Sequence, residues 1–233
     1  MLYAYDLHIH SCLSPCGSLD MTPNNIVNMS KLKGLDIIAV TDHNACDHVR
    51  IVYELGQQLD LLVLPGMEVQ TKEEVHILCY FESVEAIESF DDALTQFKSK
   101  IPNNIKVFGH QSILDAEDVF VKEVEHALIL SVDLSLEELQ GLVNQHHGII
   151  VPAHINKSAN SLLVQLGFIP NALQFGTIEV YPKAKLDDKI AVKYQNLFNS
   201  DAHYLEHISE AEHHIELPEK TCRALIKYLS GKG

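Results

Sequence analysis

Short apolar runs alternate with longer amphipathic stretches along most of this chain, and that rhythm restricts the fold more than any single residue does. Strand-like runs occupy residues 2–10, 35–42, 61–69, 75–81, 148–155, 177–181 and 197–203. A helix is predicted over residues 22–34, with Thr22 as N-cap, Pro23 at the first helical position and Gly34 as the stop. Ser135 and Glu138 form a capping-box pattern that opens a helix ending at Gly148. Residues 46–60, 83–99, 158–167, 186–196 and 219–231 read as further helices. Repeated strand–helix alternation implies a parallel sheet, either open and doubly wound or closed into a barrel.

Residues 82–133 interrupt the rhythm. They open on an acidic helix carrying Glu82, Glu85, Glu88, Asp91 and Asp92, and lose any clean period after Ile105. The stretch is either a solvated helix with a surface loop or an insertion that covers an active site. A length of 233 residues suits one domain, 1–233, with 82–133 as an internal insertion.

Seventeen Lys and Arg against 32 Asp and Glu give a formal charge of −15. That balance counts against a broad basic face, so neither duplex nucleic acid nor an anionic membrane is expected as a partner. A small anionic substrate stays possible, because bound metal ions reverse the local sign of the field. Asp6, His8 and His10 stand where a signal peptide would be apolar, and no apolar run is long enough to span a bilayer. Five Cys, an odd number with no CxxC pair, point to a reducing cytoplasm. The sequence sets no oligomeric state.

The chain has 14 His, and the residues able to bind metals gather at the expected C-terminal ends of the strands. In order they are His8 and His10, Asp42 and His43, Glu68, His76, His154, then Asp201 and His203. Active sites of α/β folds form at that end. His8 and His10, two apart on a strand, leave the same face about 6.6 Å apart at about 3.3 Å per residue, close enough to share an ion. Asp201 and His203 repeat the spacing on the last strand. Imidazole with carboxylate favours Zn, Mn or Fe over Mg or Ca. Lys157, three residues after His154, is the cation best placed to meet a phosphate.

Asp6-Leu-His-Ile-His-Ser11, Thr41-Asp-His43, Gly66-Met-Glu68, Val75-His76, Pro152-Ala-His154 and Ser200-Asp-Ala-His203 together resemble the PHP (polymerase and histidinol phosphatase) domain family, in its order and over nearly the whole chain. The resemblance implies a distorted (β/α)7 TIM-like barrel and a cluster of two or three divalent metal ions. It places one ion on His8, His10 and Asp201, a second on Glu68, His76 and His154 with Glu68 bridging, and a third on His43 and His203. Glu68, Asp201 and His203 are the implied catalytic residues, and Lys157 the substrate-binding one. The sequence departs from the family at Ser14-Pro-Cys-Gly17, where many members carry Ser-Asp-Gly. Cys16 supplies the missing ligand there, or it is a turn residue and Asp20 or water takes the place.

The implied function is metal-dependent hydrolysis of a phosphomonoester, on a small molecule or nucleotide, by a metal-activated hydroxide. An amidohydrolase or deaminase also starts with HxH on its first strand and is the alternative enzyme class. A non-catalytic metal-binding regulatory module is the third reading.

Overall fold

The computed structural model describes residues 1–231 and begins with β1 (Leu2–Ile9), buried from Ala4 onward. β1 pairs in parallel with β2 (Ile37–Val40), and β2 with the short β3 (Leu62–Val63). Helices α1 (Pro23–Leu32) and α2 (Val49–Gln58) make the two crossovers. α1 starts for the reason the sequence gives: the Thr22 side chain accepts from the Asn25 N–H, and Pro23 fills the first turn. This part is the expected parallel βα arrangement.

The next strands run the other way. β4 (Gly66–Gln70) and β5 (His76–Tyr80) are antiparallel, and β5 is antiparallel to β8 (Ile149–Pro152). The all-parallel expectation fails here because residues 71–75 are too few for a parallel crossover, which takes about a dozen residues. Glu74, at φ +59°, makes the turn instead.

Between β5 and β8 lie α3 (Val84–Leu94), a 3₁₀ turn, α4 (Ile105–Phe108), the hairpin β6 (Ser112–Leu114)–β7 (Phe120–Glu123), and α5 (Leu136–Gln145). The capping box on α5 forms as read, with Ser135 and Glu138 exchanging side-chain and backbone hydrogen bonds. After β8 come α6 (Leu162–Leu166), β9 (Thr177–Glu179), α7 (Asp188–Ala191), β10 (Gln195–Leu197), β11 (His214–Glu216) and α8 (Cys222–Leu229). The helix expected over 186–196 is thus only α7, and its end is strand. The strand expected over 197–203 stops at Leu197. Beyond it Asp201, at φ +53°, breaks the ladder and leaves a single bridge from Ala202 to Ile9.

The ladders fall into four sheets, β11-β1-β2-β3, β4-β5-β8, β9-β10 and β6-β7. No ladder closes a ring among the described residues, so the expected barrel is not one continuous hydrogen-bonded sheet. Strands as short as β3, β9 and β10 have too few residues to carry pairing across every gap.

The core lies on both sides of these strands. Met67, Val69, Ile77, Cys79 and Phe81 pack with Ile87, Phe90, Leu139 and Val143 from α3 and α5. Leu7, Ile37, Leu78, Tyr80 and Val151 join Leu225, Ile226 and Leu229 of α8. Among the described residues no helix is long and apolar enough to cross a membrane.

Gly66 sits where β4 passes Thr41 and Tyr80; a Cβ there would lie 2.8 Å from Thr41 Cγ2 and 3.0 Å from the Tyr80 ring. Gly66→Ala is expected to cost about 1–3 kcal/mol by overpacking, read as a lowered thermal midpoint; an unchanged midpoint would show that this contact relaxes freely.

Candidate metal centre

Several elements deliver polar side chains to one edge of the sheets. His8 is the last but one residue of β1 and His10 follows the strand, both on the same face, with their Nε2 atoms 3.1 Å apart. Glu68 comes from the middle of β4, and His43 reaches it through an isolated parallel bridge. His76 was expected at a C-terminal strand end, but it opens β5. Because β5 is antiparallel, its first residue is the one that meets this edge. His154 follows β8, while Asp201 and His203 follow β10 in irregular chain.

Glu68 is the centre of the group. Only 1% exposed, it has five histidine nitrogens around its carboxylate: His76 Nδ1 at 3.0 Å, His43 Nδ1 at 3.1 Å, His8 Nε2 at 3.3 Å, His10 Nε2 at 3.4 Å and His154 Nε2 at 3.5 Å. Asp201 Oδ1 stands 3.4 Å from both His8 and His10 Nε2. His203 Nδ1 donates to the Asp201 carbonyl at 2.7 Å, which leaves Nε2 with a free lone pair.

Three sets have donor atoms within 4.8 Å of one another: His8, His10 and Asp201; His43, Glu68 and His76; and His10, Cys16, His43 and His203. The first set is the one the resemblance implies. In the second, His43 stands where the resemblance puts His154, which joins none of these sets among the described residues. In the third, the Cys16 sulfur turns inward from an exposed loop to the histidines. Asp20 lies exposed and belongs to no such set.

The donors fit a divalent cation. His43 Nδ1, His76 Nδ1, His154 Nδ1 and Glu68 Oε1 are buried without a hydrogen-bond partner, although several lie close together. Groups that converge this way without bonding one another are what a shared cation satisfies. Burial would raise the Glu68 carboxyl, yet the facing His76 and His8 hold it well below the usual carboxylate range. Burial depresses His43, and it depresses His203 to about 4, with His10 adding to both. Burial also opposes charge on His8, but Glu179, Glu68 and Asp201 raise it well above its ordinary value. The site therefore attracts positive charge at Glu68 while burial keeps His43 and His203 neutral.

A second layer aims the ligands. His8 Nδ1 donates to both oxygens of Glu179 at 3.0 Å, and His10 Nδ1 donates to Ser14 Oγ at 3.0 Å. Gln70 Oε1 takes the other nitrogen of His76 at 3.1 Å. The bonds to Glu179 and Ser14 fix tautomers of His8 and His10 whose free lone pairs point inward, while Asn160 Nδ2 at 3.2 Å shares His76 Nε2 with Gln70. Sequence reasoning missed Glu179 and counted Asp42 among the metal-capable residues, whereas Asp42 joins no ligand set and accepts from Ser11 and Ser14. The signal for Glu179 was available: a lone acid between Ile178 and Val180 in a buried strand needs a partner.

The other singled-out residues fall nearby or elsewhere. Lys157 Nζ is 2.8 Å from Asp201 Oδ2. Asp6 accepts from the Ser200 and Ser209 backbone at 3.1 and 2.9 Å, and so pins the chain on either side of Asp201 and His203.

Residues 6–210 match the PHP domain profile. The chain belongs to the PHP domain family. An uncharacterised protein of Methanocaldococcus jannaschii is 28% identical over 168 residues, covering 72% of this chain and 18% of that protein. The lesion-specific endonuclease EndoQ of Pyrococcus furiosus superposes with a TM-score of 0.72 at 21% identity, over all of this chain and 57% of that one. A Bifidobacterium adolescentis protein described as a metal-dependent phosphoesterase gives 0.60 at 18% identity, over 97% and 96% of the two chains. This PHP chain thus spans under a fifth of the curated relative and little more than half of the endonuclease.

The exclusion of duplex nucleic acid is overturned by these likenesses. Endonuclease Q, with this fold, has been solved on a 27-mer duplex with an abasic lesion at its active site. Net charge sums the whole chain, while binding is decided by the field at the site.

Glu179→Gln keeps the shape and removes the charge behind His8. Affinity for Zn²⁺, measured against a chromophoric chelator, is expected to fall about 10–100-fold. Unchanged affinity would separate Glu179 from the metal centre.

Proposed function

We propose that this PHP chain hydrolyses phosphoesters at a cluster of two or three Zn, Mn or Fe ions. His8, His10 and Asp201 would hold one ion, Glu68 and His76 a second with His154 beside Glu68, and Cys16, His43 and His203 a third; a neutral imidazole has one lone pair, so His10 and His43, which lie within reach of two groups each, serve one ion apiece. The observation that carries this reading is the buried, unpartnered set of lone pairs gathered around Glu68. Ions bound there supply Lewis acidity to phosphoryl oxygens and lower the pKa of water toward neutrality.

The chain's own groups do the rest. Lys157 Nζ, held by Asp201 Oδ2, is placed to take a phosphoryl oxygen as a point charge. Asp201 faces the cluster with Oδ1 and Lys157 with Oδ2, so it orients both substrate and ligand. His203, beside Asp201 and partly exposed, gives its Nδ1 proton to the Asp201 carbonyl and so turns Nε2 to the cluster as a ligand. Glu68 stays ionised and divides its two oxygens among the surrounding ligands.

A phosphomonoester of a small molecule or nucleotide is the substrate read from the sequence. A phosphodiester in nucleic acid is the second reading, favoured by the match of the entire chain to the endonuclease fold. We read the three sheets other than the β6–β7 hairpin as arcs of one distorted barrel, a reading supported by the His43–Glu68 and Ile9–Ala202 bridges across two of the gaps. A reducing intracellular setting suits the thiol of Cys16.

Elemental analysis of chelator-free protein tests the metals, and nitrophenyl phosphate, bis-nitrophenyl phosphate and an abasic duplex test the ester. Two or three ions per chain are expected, with loss of metal and an activity drop of about 10²–10³-fold or more in His8→Ala/Asp201→Ala. Lys157→Ala is expected to raise KM more than it lowers kcat. Protein that takes up no transition ion, or cleaves amides and no phosphoester, would sink the proposal.

A further inference from the structure

A buried histidine outside the ligand sets connects the cluster to the 82–133 stretch. His48, just before α2, has no exposed surface and belongs to none of the three sets. The Leu114 N–H donates to its Nε2 at 2.9 Å, so the proton of a neutral ring sits on Nδ1. Burial favours that neutral ring. Nδ1 donates to Ser11 Oγ at 2.8 Å, and the Ser11 hydroxyl donates to Asp42 Oδ2 at 2.6 Å. Asp42 Oδ1 takes the Ser14 hydroxyl at 2.6 Å, and Ser14 Oγ accepts from His10 Nδ1 at 3.0 Å and from the His43 N–H at 3.1 Å.

The chain of bonds has one consistent direction. The Leu114 amide cannot reverse, so it sets His48; His48 and Leu13 N–H fill the acceptor side of Ser11, and the Ser11 hydroxyl must then point at Asp42. Asp42, bonded by both serines, leaves Ser14 as an acceptor for His10 Nδ1–H. Asp42 only accepts and so keeps both serine hydroxyls as donors; without His48 the Leu114 N–H and Ser11 lose their shared partner, and the Ser11–Asp42–Ser14 bonds that carry His10 Nδ1–H lose their tie to the hairpin. Backbone contacts tie the same two segments together. Ser112 N–H donates to the Cys12 carbonyl at 3.1 Å, and Gly109 lies so close to the Pro15 carbonyl that a Cβ would overlap it. The loop clamped in this way carries Cys16.

We propose that His48 is a positioning residue, one that holds the Ser11–Asp42–Ser14 bonds behind His10 and the seat of the Cys16 loop against the β6–β7 hairpin, and so ties metal loading to that hairpin. The residues from 109 to 114 then act as a brace behind the ligands. This inference rests on the metal-binding reading above. By linkage, what the hairpin does for the ions the ions do for the hairpin.

The test compares parent, His48→Leu, His48→Asn and, as a control of similar stability remote from the site, Ile226→Val. Metal-free protein is titrated with Zn²⁺ against a chelator and with Co²⁺ while the thiolate-to-cobalt absorption is followed. Amide exchange at Leu114 is measured with and without Zn²⁺. His48→Leu is expected to weaken at least one ion on the order of tenfold and to reduce the cobalt–thiolate band. His48→Asn keeps a donor toward Ser11 but loses the acceptor for Leu114, and is expected to fall between. Zn²⁺ should slow Leu114 exchange in the parent and in Ile226→Val, and much less in His48→Asn. Should His48→Leu not fold, His48→Asn and Ser11→Ala, which cuts the same chain of bonds, decide the matter. Parent-like affinity in the His48 variants, or an equal loss in Ile226→Val, would overturn the inference while leaving the metal reading intact. A parent that binds neither ion fails the metal reading itself, and this inference with it.

Discussion

Glu68 carries a negative charge in a place with almost no water, and the geometry around it exists to make that tolerable. Taking a carboxylate out of water costs several kcal/mol even after the protein relaxes. Five imidazoles surround it, and they come from β1 and its exit, from the ends of β2 and β8, and from the start of β5. No local stretch of chain could assemble that ring. The antiparallel turn between β4 and β5 therefore has a purpose beyond topology: it brings the first residue of β5 to the edge where the other strands end.

Much of this arrangement is legible in residue types and spacing. His8 and His10 follow from strand geometry alone, and the caps of α1 and α5 follow from Thr22-Pro23 and from Ser135 with Glu138. What resists reading is decided by backbone bends that leave little mark in composition. The run 197–203 was expected to be strand throughout, yet Asp201 adopts a left-handed conformation that breaks it. The antiparallel β5 could have been read from the short link at 71–75, because chain length forbids the alternative. Glu179 was passed over because the strand expected there runs on to residue 181, whereas β9 ends at Glu179 itself, and its partners lie far away in sequence at His8 and Asn199. Long-range hydrogen-bond partners are what a single sequence hides best.

The bends themselves are costs accepted at the site. His154, at φ +27°, and Asp201, at φ +53°, are side-chain-bearing residues in a region that favours glycine, at about 1–3 kcal/mol each. Both are held by bonds from the second layer. Glu179 Oε2 accepts the His154 N–H at 2.6 Å, and the His203 ring grips the Asp201 carbonyl. The same Glu179 orients His8, so one buried acid fixes a ligand's tautomer and a neighbour's backbone together. Loss of that acid loosens two elements of the centre at once, which is why the outer layer matters as much as the ligands.

The charge of the chain takes on a different meaning against this centre. Asp42, Glu68, Glu179 and Asp201 are gathered around the histidines, and they supply four of the 32 acidic groups that set the net −15. Two divalent ions would balance those four charges locally, whatever the total. The acidity that argued against nucleic acid is thus in part the counter-charge of the metal centre, and it faces inward. What an approaching phosphate meets is the residual field at the edge, where Lys157 stands half exposed beside Asp201. A chain can be strongly acidic as a whole and still present an anion with an attractive place to bind.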